Sequence, residues 1–188
     1  MKPSNEPRAK LPRRHLLTGV VGAALAICGA AVAIARTGGY ALPPGRRLAV
    51  LAPWQVVVVQ HAARRIAAPD GDADASIPTV DDLDIATFVD GWMGRMPARL
   101  RRDLGRFLVY VEHVAPIGVG LFARFTRLDP REQDRVLASL ERSSSDLLRA
   151  GFDGLRSLVL MGYYRAPQTW RMIGYDGPLV GRPPSGWR

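Results

Sequence analysis

Between Pro53 and Tyr163 the apolar residues recur three or four positions apart, which is the spacing of one face of an α-helix. Five such stretches follow one another, and neither an alternating strand pattern nor a hairpin turn lies between them. The most regular one has its apolar positions at Leu100, Leu104, Phe107, Leu108, Val111 and Val114. We therefore predict an all-α fold, a small bundle of about five helices.

Prolines and capping residues mark where these helices begin. Pro53 is expected at the first position of the first helix, and Asp81 or Asp82 is the expected N-cap of the second. The clearest start is the sequence LDPREQ, in which Asp129 is the N-cap and proline the first helical residue. Glu132, three residues after the cap, completes a capping box. A helix is therefore predicted to begin here.

The start of the chain has the layout of a bacterial targeting segment. A basic stretch ends in Arg13 and Arg14, and residues 16–35 then carry no charge. The arginine pair followed by a histidine and two leucines resembles the twin-arginine (Tat) signal, which would engage the Tat translocase. A core helix would need a polar face, which this stretch lacks. We interpret residues 1–35 as a Tat-type signal or an N-terminal membrane anchor.

Two fates of this segment remain open. Small residues at Ala33 and Ala35 suit a signal peptidase, so the chain could be cleaved after Ala35. Alternatively, residues 16–35 at about 1.5 Å per residue span about 30 Å, the hydrocarbon thickness of a bilayer, and could remain in the membrane. Basic residues hold the N-terminal end in the cytoplasm in both cases. We expect the rest of the chain on the periplasmic side of the inner membrane.

Composition narrows the choice of partner. The 188 residues carry a net charge of +9, about half of it in residues 1–35, and the remaining basic residues form no single patch. We therefore predict no nucleic-acid partner. The single cysteine, Cys28, excludes an intramolecular disulfide, a CxxCH haem attachment and a thiolate cluster. Any electron carrier is expected in a partner, and no cofactor in this chain.

The loop DGDADASIPTVD is the one candidate for a metal. Its aspartates stand at positions 1, 3, 5 and 12 of a calcium-loop pattern, and they are Asp70, Asp72, Asp74 and Asp81. The turn glycine and the closing glutamate of that pattern are missing, so a solvated acidic linker is the favoured interpretation. His61 and His113, on separate helices, could clamp a haem but are better explained as structural. We find no GxSxG, Walker or dinucleotide-binding motif and predict no catalytic residues.

Residues 161–178, close to the end of the chain, read MGYYRAPQTWRMIGYDGP, which combines large aromatic rings with glycines and prolines. We expect a non-helical backbone here that either folds back on the helices or offers rigid aromatic anchors to a partner. The predicted interface residues are Tyr163, Tyr164, Pro167, Trp170, Tyr175, Gly177 and Pro178.

This ending resembles the closing signature of the gluconate 2-dehydrogenase subunit 3 family, in which a helix ends in Tyr-Tyr and leads to an Ile-Gly-Tyr-x-Gly-Pro turn. The Pro-Trp helix start at Pro53, the stretch LFARFTRLDPREQDRVLASLE and the Tat-like signal are similar as well. The resemblance covers roughly residues 48 to 178, and its last segment is the specific part.

The resemblance implies a non-catalytic accessory subunit. Such subunits accompany a large FAD-dependent oxidoreductase of the glucose-methanol-choline type that acts on sugars, sugar acids or alcohols. A cytochrome c subunit carrying haem c is often a third component. The expected organisation is a signal or anchor at 1–35, a linker at 36–52, a helical subunit 3-like domain at 53–178 and a flexible tail at 179–188. The alternative is a stand-alone exported helical module that binds lipid or calcium.

Overall fold

The computed structural model describes residues 40, 42, 45–67 and 77–177, and within them the chain forms helices and no strand. The predicted all-α class is confirmed for this part. The helices are α1 (Pro53–Ile66), α2 (Ile85–Arg95), α3 (Ala98–His113), the four-residue α4 (Ala115–Gly118), α5 (Pro130–Glu141) and α6 (Asp146–Tyr164). Two 3₁₀ helices, Phe125–Arg127 and Pro167–Ile173, follow α4 and α6.

Several predictions fall on residues outside the described ranges. They concern the signal or anchor at 1–35 with its arginine pair, most of the acidic loop, and the end of the chain from 178 onward. The individual residues are Arg13, Arg14, Asp70, Asp72, Asp74 and Pro178.

Helix α1 lies at the centre of the bundle, where it packs against α2, α3, α5 and α6. A helix surrounded on several sides buries apolar residues all round rather than along one stripe. Accordingly, the sequence VVVV contributes buried side chains that point to different neighbours, and Val56, Val58 and Val59 are almost fully buried. A one-faced apolar stripe, as the helical spacing of apolar residues predicts, is therefore too narrow a description of α1.

The capping box of α5 is confirmed. The backbone N–H of Glu132 donates to the Asp129 carboxylate at 2.9 Å, and the N–H of Asp129 donates to the Glu132 carboxylate at 3.1 Å. Pro130 occupies the first helical position, where its missing N–H costs no hydrogen bond.

The predicted cap of α2 is wrong. The helix begins at Ile85, after a turn in which Asp84 has a φ of 45°. Asp82 caps an earlier turn instead, because its carboxylate accepts hydrogen bonds from the N–H of Thr79 at 2.8 Å and from its hydroxyl at 2.7 Å. A carboxylate that is already engaged upstream cannot also cap the helix that follows.

Residues 49–51, part of the predicted linker, are held against α2 by one buried carboxylate. Asp90 is 2% exposed and accepts the backbone N–H groups of Ala49, Val50 and Leu51 at 2.5, 3.0 and 2.7 Å. Three hydrogen bonds to one carboxylate offset the cost of burying its charge. The three residues before Ala52 and α1 are therefore hydrogen-bonded to α2.

Candidate functional site

The aromatic tail, defined here as residues 163–177, continues α6 and then turns back on it. The prediction of a non-helical backbone is only partly correct. Tyr163 and Tyr164 are the last residues of α6, and Trp170 lies in the 3₁₀ helix Pro167–Ile173. Regular α-helix ends before Pro167 because proline disfavours helical geometry in the residue before it.

Side-chain hydrogen bonds fix this return path. Tyr163 is 1% exposed, and its hydroxyl donates to the carbonyl of Pro78 at 3.2 Å. The buried hydroxyl of Thr169 lies 2.8 Å from the carbonyl of Ala166. The indole N–H of Trp170 donates to the carbonyl of Tyr164 at 2.8 Å, where α6 leaves carbonyl groups without helical partners.

The last turn closes around the indole ring. Tyr175 meets Trp170 edge to face, with ring centroids 5.1 Å apart. Gly174 and Gly177 have φ values of 62° and 108°, which side chains other than glycine rarely adopt. A Cβ at Gly177 would also stand 3.1 Å from an indole carbon of Trp170. The Gly-Tyr-Asp-Gly turn is thus built to hold the two rings in one arrangement.

The predicted interface residues divide into a buried and an exposed group. Tyr163 and Gly177 are buried within this chain, and Tyr164 and Trp170 are half-buried. Pro167 and Tyr175 are exposed, as is Ile173, which the sequence reasoning did not single out. Ile173 is 55% and Tyr175 is 43% exposed, and the two residues are separated by only Gly174 in the chain.

A second feature is a buried polar cluster on α3 that the sequence analysis missed. Glu112 is fully buried, and its carboxylate accepts the Tyr40 hydroxyl at 2.6 Å and the hydroxyl and N–H of Thr126 at 2.7 and 3.1 Å. Arg124 donates to the Tyr40 oxygen at 3.1 Å and lies over the Tyr40 ring. Glu112 stands four residues after Leu108, on the apolar face of α3. A charged residue on an apolar face is expected to be buried with hydrogen-bonding partners, and this position was the available signal in the sequence.

The cluster fixes Tyr40, ahead of α1, to the bundle. Burial and the adjoining Glu112 carboxylate raise the pKa of Tyr40 to about 12. The phenol therefore stays protonated and keeps donating its hydrogen bond at physiological pH. Together with Asp90, this cluster gives the segment that leads into α1 two points of attachment.

The two histidines are held as neutral rings. The amide nitrogen of Gln133 donates to the carbonyl of Phe125 at 3.1 Å and lies 3.0 Å from Nδ1 of His61, which therefore acts as an acceptor. Burial lowers the pKa of His61 and of His113. For His61 these contacts are those of a structural residue.

Asp81, the one described aspartate of the acidic loop, is engaged in protein contacts. Its carboxylate accepts the guanidinium of Arg64 at 3.0 Å and the side-chain amide of Gln60. No group of three or more potential metal-ligating side chains occurs among residues 40, 42, 45–67 and 77–177. Calcium binding by the loop stays the alternative to the predicted solvated acidic linker, since its other aspartates lie outside these residues.

An apolar groove runs between α3 and α6. Its volume is about 590 Å³. It is lined chiefly by Leu100, Leu104, Phe107, Leu147, Gly151 and Leu158. Leu100 is 55% and Leu147 is 78% exposed, so apolar side chains in the first turns of α3 and α6 are left exposed. We call this surface the α3–α6 groove.

Within the described ranges, no helix has the length and apolar character needed to span a bilayer. The predicted anchor at 16–35 lies outside them. Comparison of the chain with protein-family models, curated proteins and solved structures gives no match.

Proposed function

We propose that this chain is a non-catalytic small subunit that binds a large FAD-dependent oxidoreductase of the glucose-methanol-choline type, which acts on sugars, sugar acids or alcohols. It is exported with that enzyme by the Tat translocase, works on the periplasmic side of the inner membrane and tethers the enzyme when residues 16–35 stay in the bilayer. FAD belongs to the large subunit, and haem c belongs to a cytochrome c subunit where one is present.

The observation that carries the proposal is the aromatic tail. Its backbone is fixed by buried contacts at Tyr163 and Thr169 and by the closed ring pair of Trp170 and Tyr175. A surface that is already ordered loses little conformational entropy on binding, and aromatic side chains are frequent anchors of interfaces. Ile173 and Tyr175 stand exposed on this ordered turn and supply an apolar patch for the flavoprotein.

The two buried carboxylates support the tethering role. Glu112 holds Tyr40, and Asp90 holds residues 49–51. The bundle is thereby hydrogen-bonded to the chain before α1 at two places, Tyr40 and residues 49–51.

The interface is tested by capture of the flavoprotein. Full-length chains carrying Ile173→Asp and Tyr175→Asp are used to pull down partners from native membranes, and bound FAD is measured by its fluorescence. We expect the wild type to retain a flavoprotein and the double variant to lose it. Phe122→Asp is the matched control, because Phe122 is 91% exposed and lies outside the tail. Equal FAD recovery with all three proteins would contradict the proposed interface.

Export is tested separately with Arg13→Lys and Arg14→Lys together, co-expressed with the flavoprotein. We expect flavoenzyme activity to disappear from the periplasm and to persist in the cytoplasm. Arg8→Lys, in the same basic stretch but outside the pair, is the control. Periplasmic activity that survives loss of the pair would refute the carrier role.

A further inference from the structure

The α3–α6 groove is an uncovered part of two otherwise buried helix faces. On α3, Phe107 is 8% exposed while Leu100, two turns earlier, is 55% exposed. On α6, Leu158 is 3% exposed while Leu147, about three turns earlier on the same face, is 78% exposed. The apolar stripes thus continue past the point at which the bundle covers them. An apolar surface of this kind, concave and between two helices, is typical of a site that receives another helix.

The α3 side of the groove is basic. Arg99, Asp103 and Arg106 follow one another at intervals of four and three residues along that edge. Both arginines reach the same carboxylate, at 4.0 Å from Arg99 and 3.5 Å from Arg106. The two arginine side chains are 88% and 79% exposed, and the single negative charge of Asp103 lies beside their two positive charges. This edge therefore has positive charge in excess and favours an acidic partner.

The α6 residues that line the groove are uncharged, and several of them are small. Ala150, Gly151 and Gly154 line it, and a Cβ built on Gly154 would meet no atom within 4 Å. Small residues let the backbone of a second helix approach closely. The two sides thus differ in charge and in side-chain size, which defines an orientation for an occupant.

We propose that the α3–α6 groove binds an amphipathic helix of another protein, with its aliphatic row on Leu100, Leu104 and Leu147 and acidic residues facing Arg99 and Arg106. This is a second contact surface in addition to the aromatic tail, and it does not depend on the identity of the partner there. Leu147 and Tyr163 are 16 residues apart on one helix, so the open end of the groove and the start of the aromatic tail lie about 24 Å apart along α6.

The test uses one defined probe, a synthetic helical peptide with leucines at i, i+3, i+4 and i+7 and glutamates on one flank. Its control has the same leucines with lysines in place of the glutamates. Binding of each labelled peptide to the full-length chain, held in phosphatidylcholine nanodiscs, is measured by fluorescence anisotropy. We expect the glutamate peptide to bind and the lysine peptide to bind more weakly by about tenfold or more.

Two pairs of variants locate the binding surface. Gly154→Leu fills the groove, and Gly91→Leu places the same side chain on α2, also with no atom within 4 Å of the new Cβ. Both replace a helical glycine by a better helix former, so folding is not expected to suffer. Arg106→Glu reverses the basic edge, and Arg131→Glu reverses an exposed arginine on α5. Only Gly154→Leu and Arg106→Glu should reduce affinity, each by about tenfold or more.

Other results would overturn the proposal. Equal affinities for the two peptides, or affinity unchanged by Gly154→Leu, would remove the groove as a helix site. Phosphatidylglycerol retained by the wild type but not by Gly154→Leu in native mass spectrometry would assign the groove to a lipid. Self-association in sedimentation that Gly154→Leu abolishes would assign it to a second copy of this chain. None of these outcomes depends on flavoprotein capture by the aromatic tail.

Discussion

Replacing Gly151 by alanine would insert a methyl group into the contact between α6 and the Phe107 ring of α3. A Cβ at this position would lie 2.4 Å from one ring carbon and 2.7 and 2.8 Å from two others. These separations are far below van der Waals contact, so the ring or the helix must move. Gly154, three residues later on the same helix, offers open space to the same substitution.

The size of the effect follows from two opposing terms. Alanine in place of a helical glycine stabilises by about 1 kcal/mol at either position. Overpacking at Gly151 destabilises by about 1–3 kcal/mol, towards the low end if the Phe107 ring can swing into the groove that it lines. Gly154→Ala should therefore raise the free energy of unfolding by about 1 kcal/mol. Gly151→Ala should be about 1–3 kcal/mol less stable than Gly154→Ala, because the helix term cancels in the comparison.

Urea unfolding of the full-length variants, followed by far-ultraviolet circular dichroism in one detergent, measures this difference. Phe107→Leu serves as the diagnostic second substitution. If the clash is with that ring, the double variant Gly151→Ala, Phe107→Leu should be more stable than the sum of the single changes predicts. Gly151→Ala stabilising as much as Gly154→Ala would refute the described packing of α3 against α6.

Three other predictions concern capping and titration. Asp129→Ala should lower the free energy of unfolding by about 1 kcal/mol in the same urea assay, since the cap of α5 is lost. Burial lowers the pKa of His61 and of His113 in the folded chain. Below about pH 6.5 the unfolded chain therefore binds more protons than the folded chain, and the melting temperature should fall as the pH drops. The His61→Gln, His113→Gln variant should show a smaller fall, and an unchanged pH dependence would contradict this. The raised pKa of Tyr40, about 12 against an ordinary 10, should make stability decline as pH rises above 10, and Tyr40→Phe should decline less in alkaline melts.

The helices were largely predictable because their signals are local. Periodicity located all five long helices, and Asp129 with Glu132 fixed the start of α5 to the residue. The start of α2 was not predictable, because Asp82 has equal local reason to cap a turn or a helix. Only its contact with Thr79 decides between them.

The candidate sites required information on distant residues. The groove exists because the stripe from Leu100 to Val114 is longer than the surface that covers it, and no pattern within one helix shows where its neighbours end. In the aromatic tail, composition predicted an ordered segment. Which rings are exposed depends on the contact of Tyr163 with Pro78, which is 85 residues away in sequence. Sequence spacing alone therefore grouped the buried Tyr163 with the exposed Tyr175.

Glu112 and Asp90 bear on the tethering part of the proposed role. A flexible linker before α1 would need no buried carboxylate, and replacing each with an apolar residue would avoid the cost of desolvating a charge. Both carboxylates instead bind groups that precede α1, the Tyr40 hydroxyl in one case and three backbone N–H groups in the other. A tethering subunit must stay joined to the chain before the bundle while the aromatic tail binds a partner. The proposed tethering role would therefore account for the two buried carboxylates.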